Sequence, residues 1–142
     1  MQRPIRLLIA DHNRIFREGV CVLIGFASDL QLIAAVVNAE DAVNGFLEHR
    51  PDLTLMDLDM RANAGVDAIH RIRQIDPQAW VIALVTDECD SRTPQAIAAG
   101  ASLVLTKDAV GEALLPAIYA RCEFAPPAAE LFDDQAVAIR VK

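Results

Sequence analysis

The side chains that could do chemistry stand just after short apolar runs. They are Asp11 and His12 after "IRLLIA", Asp57 and a second acid Asp59 within "LTLMDLDM", Thr86 after "WVIALV" and Lys107 after "SLVLT". A carboxylate at the end of an apolar strand is costly to desolvate unless a cation, hydrogen bonds or chemistry compensate it. Phosphoryl transfer would supply that compensation. A carboxylate such as Asp57 can attack a phosphoryl group and form an acyl phosphate, but two anions repel, so a divalent cation and a lysine must neutralise the developing charge. Asp11 and Asp57 are the carboxylates to hold Mg²⁺, which keeps several waters and needs only one or two protein carboxylates. Lys107, on a long flexible stem, is the cation to pair with the phosphoryl product.

The elements that must position these groups follow from periodicity. The chain repeats one unit five times: a short apolar run, a turn, then a segment with helical spacing. Strands are expected at residues 5–10, 30–37, 53–57, 80–85 and 102–106. The first helix is expected around 14–27, with Ile15, Phe16, Val20, Leu23, Ile24 and Phe26 as its buried face. The second, near 40–49, should bury Val43, Phe46 and Leu47 and end at Arg50 and Pro51. The third, 65–75, should turn Val66, Ile69 and Ile72 inward and Arg71 and Arg73, with His70, outward. Thr93 reads as an N-cap and Pro94 as the first helical residue of a short fourth helix that stops at Gly100. Strict alternation of strands and helices implies an open α/β class with a parallel sheet and right-handed crossovers. In strand order 2-1-3-4-5 the third strand is central, so Asp57 sits mid-site, with Asp11 on one side, Thr86 on the other and Lys107 reaching across.

The chain has 142 residues, 54% of them hydrophobic and 23% charged, which suits one packed domain and is inconsistent with disorder. One domain over 1–124 and a linker or C-terminal tail over 125–142, which begins with a Pro-Pro break, is the expected division. A formal charge of -7 opposes binding of phosphate backbones or anionic membranes by this chain. Cys21, Cys89 and Cys122 are odd in number and lack metal-ligand spacing, which reads as reduced, structural thiols of a cytoplasmic protein without membrane association.

From about residue 4 to 122 the chain resembles the receiver domains of bacterial two-component response regulators, with the flavodoxin-like, CheY-like doubly wound five-stranded sheet and five helices. The stretches "FREGV", "LMDLDM", "AAGAS" and "LTKDA" resemble the NarL/LuxR-type subfamily in particular. The resemblance implies that a sensor histidine kinase passes a phosphoryl group to Asp57, that Thr86 then moves to hydrogen-bond it, and that Lys107 completes a catalytic trio. It implies a Mg²⁺ site at Asp11, His12, Asp57 and Asp59, a homodimer as one partner state, and an output by binding rather than turnover. Transcription regulation would require a helix-turn-helix domain that is not visible in these residues.

Four positions depart from the family pattern. His12 stands where an acid is usual, and imidazole removes one negative charge and favours softer metals. Val104 replaces the aromatic switch residue three before Lys107, "RANAG" replaces a proline-glycine turn, and Pro116 falls inside the expected fifth helix at a cost of about 3 kcal/mol if uncompensated. These departures keep open a pseudo-receiver that signals without phosphate. "DLD" also matches the Asp-x-Asp of haloacid-dehalogenase-type phosphatases, but there the motif ends the first strand, not the third.

Overall fold

The computed structural model describes residues 3–122 and 138–140. The five units are all present. Strands β1 (Ile5–Ala10), β2 (Leu30–Val36), β3 (Leu53–Asp57), β4 (Trp80–Val85) and β5 (Leu103–Thr106) alternate with helices α1 (Arg14–Gly25), α2 (Ala39–His49), α3 (Ala64–Ile75), α4 (Thr93–Ala99) and α5 (Val110–Cys122). The strands pair in parallel, as the alternation requires, and in the expected order 2-1-3-4-5. A sixth strand, β6 (Ala138–Arg140), extends the expected five-stranded sheet by pairing antiparallel with β5, Ile139 opposite Val104. The spacing of the tail does not reveal it, because β6 is three residues long and is defined only by the free edge of β5 that accepts it. The expected amphipathic stretch at Leu131, Phe132 and Val137 lies outside the described residues.

The pleat sends alternate strand residues to two cores. Leu7, Ile9, Leu53, Leu55, Ile82, Leu84 and Leu105 pack under α1 and α5 with Val20, Ile24, Leu114 and Ile118. Leu8, Met56, Val81, Ala83 and Val104 face the other way, under α2, α3 and α4, with Val43, Phe46, Ile69 and Ile72. Burial on both faces explains why β3 and β4 are apolar throughout rather than alternating.

Three expected core positions are corrected. Ile15 and Phe26 are 81% and 85% exposed and Leu47 is 48% exposed. Ile15 lies a 100° helical step off the Phe16–Val20–Ile24 stripe, Phe26 is already the C-cap of α1, and Leu47 sits the same step beyond Phe46. In α4 the N-cap position falls to Arg92, not Thr93: the Arg92 carbonyl accepts from the Ala96 N–H at 2.9 Å, and Thr93 is already helical with its hydroxyl buried and without a hydrogen-bond partner. The helix does stop at Gly100, whose φ of 122° a side chain would resist. Arg73 is half-buried, donating to the Ala79 carbonyl, while Arg71 pairs with Glu40 at 3.2 Å, so the two do not form one exposed cluster. Helix α5 runs through Pro116, after one turn of 3₁₀ helix over Lys107–Ala109.

Candidate functional site

The carboxyl ends of β1, β3 and β5 bring three charged groups together. Asp11 follows β1, where its backbone N–H donates to the Val36 carbonyl at 3.0 Å. Asp57 is the last residue of β3, paired with Leu84 in β4. Lys107 follows β5, and its Nζ lies 3.0 Å from Asp11 Oδ2 and 3.1 Å from Asp57 Oδ1. Both carboxylates are wholly buried and the lysine side chain is only 14% exposed, so these ion pairs act with little solvent screening. Phe16 of α1 lies under the ammonium, 5.2 Å from ring centre to Nζ, which helps hold it in place.

The loops complete the shell. Asn13 caps α1 by accepting from the Phe16 N–H at 3.1 Å, and its own N–H donates to Asp11 Oδ1 at 2.8 Å. The Asp59 N–H donates to Asp57 Oδ1 at 2.8 Å. His12 Nδ1 lies 2.7 Å from Asp57 Oδ2. The other two groups are held apart from Asp57. The Thr86 hydroxyl donates to Asp59 Oδ2 at 2.5 Å, and Asp59 Oδ1 accepts from Arg92 Nη2 at 2.7 Å.

Burial pulls Asp11 and Asp57 in one direction and their partners pull in the other. For Asp11 desolvation prevails over the Asn13 N–H and Lys107, so its carboxyl sits above the usual carboxylate range. For Asp57 desolvation is outweighed by the Asp59 N–H, His12 and Lys107, which hold it below that range and therefore ionised at neutral pH. With Asp57 ionised, His12 Nδ1 must carry the proton of their shared hydrogen bond. Burial opposes the charge on Lys107, but Asp11 and Asp57 raise it above its ordinary value.

As a metal site, the ligating atoms of Asp11, His12 and Asp57 lie within 4.8 Å of one another. Asp11 Oδ2 is buried without a well-aligned hydrogen bond despite the nearby ammonium, so it is available to a cation. Two carboxylate oxygens suit Mg²⁺, and the imidazole suits it poorly. Asp59 stands outside this cluster, its carboxylate turned to Thr86 and Arg92.

Two contributors escaped the reading of the sequence. Phe16 counted only as core, and Arg92 was unremarked, although three acids, Asp87, Glu88 and Asp90, precede it in the same loop. Arg92 binds Asp59, Asp90 and the Leu58 carbonyl, which ties the β4–α4 loop to the end of β3. In "RANAG", Ala62 takes a left-handed φ of 49°, and Gly65 packs so close that a Cβ would come within 2.4 Å of the Asp57 carbonyl oxygen.

Comparison with known proteins identifies the family and the fold. The profile of the response regulator receiver domain matches residues 7–119. The transcriptional regulatory protein LnrK of Bacillus subtilis is 31% identical over 114 residues, which are 80% of this chain and 52% of LnrK. The chain thus spans about half the length of the curated relatives it matches. A LuxR-family two-component response regulator from Aurantimonas sp. SI85-9A1 is 27% identical and superposes with a TM-score of 0.77 over 90% of this chain and 92% of that one. The signal receiver domain of a putative response regulator NarL from Mycobacterium tuberculosis shares the fold, with a TM-score of 0.78 at 20% identity, over 86% and 98% of the two chains.

Proposed function

This chain belongs to the response regulator receiver domain family, among relatives of the NarL/LuxR type, and we propose that it accepts a phosphoryl group on Asp57 from the phosphohistidine of a sensor histidine kinase. In that transfer an Asp57 carboxylate oxygen attacks phosphorus, the P–N bond to the kinase imidazole breaks, and the departing nitrogen keeps the bonding pair and takes up a proton. The observation that carries this reading is the buried convergence of Asp11, Asp57 and Lys107 within 3.1 Å.

The residues divide the work. Asp57 is nucleophile. Lys107, already between the two carboxylates, offsets charge on the phosphoryl oxygens. Asp11 and Asp57 would hold Mg²⁺, which when bound would supply charge neutralisation that one lysine cannot. His12 donates to Asp57 Oδ2, the oxygen that Lys107 and the Asp59 N–H leave free to attack, so it has to turn outward before transfer, and at 54% side-chain exposure it has room to do so. A groove lined by His12, Asp59, Met60 and Arg61 opens beside the site and gives the phosphodonor an approach.

The output is a binding change, not a turnover reaction. Control of transcription would pass through a DNA-binding domain outside these residues, in the cytoplasm where such regulators meet DNA. Among the described residues no helix is long and apolar enough to cross a membrane. Mass measurement after incubation with acetyl phosphate and millimolar Mg²⁺ tests the reading. A phosphoryl adduct lost in Asp57→Asn is expected. No adduct would leave a pseudo-receiver, and sustained hydrolysis of small phosphate monoesters would favour a phosphatase.

A further inference from the structure

Asp59 is the acid of the site whose carboxylate the transfer chemistry leaves unused. One of its oxygens, Oδ2, accepts from both the backbone N–H (3.1 Å) and the hydroxyl (2.5 Å) of Thr86. The other accepts from Arg92, whose remaining donors go to Asp90 and to the Leu58 carbonyl. Thr86 begins the β4–α4 loop and Arg92 ends it, so one carboxylate fastens both ends. Helix α4 has no side-chain N-cap bond of its own, which leaves its entry to be set by Arg92.

We infer that Asp59 is a positioning residue that holds Thr86 and the loop over 86–92 in a resting arrangement and competes with the phosphoryl group on Asp57 for the Thr86 hydroxyl. The inference rests on the phosphoacceptor reading above. Its physical basis is donor count: a threonine hydroxyl has one proton, and while that proton is given to Asp59 it cannot be given to a phosphoryl oxygen. A phosphoryl group on Asp57 brings more negative charge than the Asp59 carboxylate, so it draws the Thr86 hydroxyl away once formed and leaves Asp59 holding the loop through Arg92 alone. Lys107, 3.8 Å from Asp59 Oδ2 but closer to Asp11 and Asp57, stays with the acceptor site in both arrangements.

Cys89 is exposed and lies inside the loop, so a nitroxide on it reports loop motion in the full chain once Cys21 and Cys122 are changed to serine. Asp59→Asn leaves one uncharged acceptor oxygen where two carboxylate oxygens served Thr86 and Arg92, and Arg92→Gln removes the guanidinium, so the two variants change net charge in opposite directions yet both weaken the fastening. In the absence of phosphodonor both should mobilise the label towards the spectrum of the parent protein treated with Mg²⁺ and beryllofluoride, while thermal melts confirm folding. Beryllofluoride should bind Asp59→Asn about tenfold more tightly, the effect of removing one charge-assisted competitor. An immobile label in both variants, or unchanged or weaker beryllofluoride binding to Asp59→Asn, would overturn the inference. Failure of the parent protein to bind beryllofluoride would instead sink the phosphoacceptor reading and the competition with it, while the label still decides whether Asp59 restrains the loop.

Discussion

His12 Nδ1 lies 2.7 Å from Asp57 Oδ2, so an imidazole occupies the space beside the proposed phosphoacceptor where relatives of this fold were expected to place an acid. Because Asp57 is ionised, the contact is a donated hydrogen bond to the carboxylate proposed to attack, and a histidine at this position leaves the candidate cation site with two buried acids. His12→Asp should therefore tighten Mg²⁺ binding about tenfold and speed phosphorylation by acetyl phosphate. Calorimetric titration with Mg²⁺ checks this, and unchanged affinity would show that the position takes no part in holding the ion.

Asp11 is buried, and its carboxyl is raised above the ordinary range chiefly by desolvation. The folded protein thus disfavours its charged form, and the neutral isostere Asn keeps the acceptor for the Asn13 N–H. Asp11→Asn should stabilise the metal-free protein by about 1 kcal/mol at pH 7 while impairing phosphorylation, the usual trade of stability against a strained site. Urea denaturation in EDTA is the measurement; destabilisation would mean that the ion pair with Lys107 outweighs the cost of burial.

The charged trio also sets the pH response of the metal-free protein. Lys107 is raised in the folded state, so its stabilisation is complete below its unfolded value of about 10.4 and fades as pH rises through the folded one. Asp57 is depressed, so its contribution is complete above about 3.9 and fades as pH falls through its lower folded value. Lys107→Met leaves two buried carboxylates without their cation and should cost about 3 kcal/mol at pH 7. That cost should shrink towards pH 4, as Asp11, whose folded value is raised, takes up a proton. Urea midpoints from pH 4 to 8 that differ from the parent by a constant amount would contradict the assignment.

Gly65 opens α3 directly against the strand that ends in Asp57. A methyl group there would meet the Asp57 carbonyl oxygen at 2.4 Å and the Leu58 Cα at 3.3 Å, both backbone and unable to yield cheaply. Gly65→Ala should cost about 2 kcal/mol, in the range of overpacked cores, and slow phosphorylation more than a remote change of equal cost. Melting temperatures and initial phosphorylation rates, compared with a destabilised variant far from the site, separate the two effects.

Much of this was readable in one dimension. Periodicity and cap residues located the five strands and the first four helices within a few residues, because a sheet covered on both faces demands apolar runs and an amphipathic helix demands a stripe. The rule that sites lie beyond the carboxyl ends of parallel strands then picked out Asp11, Asp57 and Lys107, three residues separated by 46 and 50 positions in the chain and joined within 3.1 Å in the fold. Spacing is silent on partner choice. That Asp59 faces Thr86 and Arg92 rather than the cation site depends on where a rotamer finds its donors, and that Ile15 and Phe26 stay exposed depends on where α1 meets the sheet and where it ends. The short strand at Ala138–Arg140 exists only because β5 offers an unpaired edge. Sequence determines which residues want burial, because hydrophobicity is a property of the side chain alone. Tertiary structure decides which polar groups meet, because hydrogen bonds need distance and direction that only the packed elements supply.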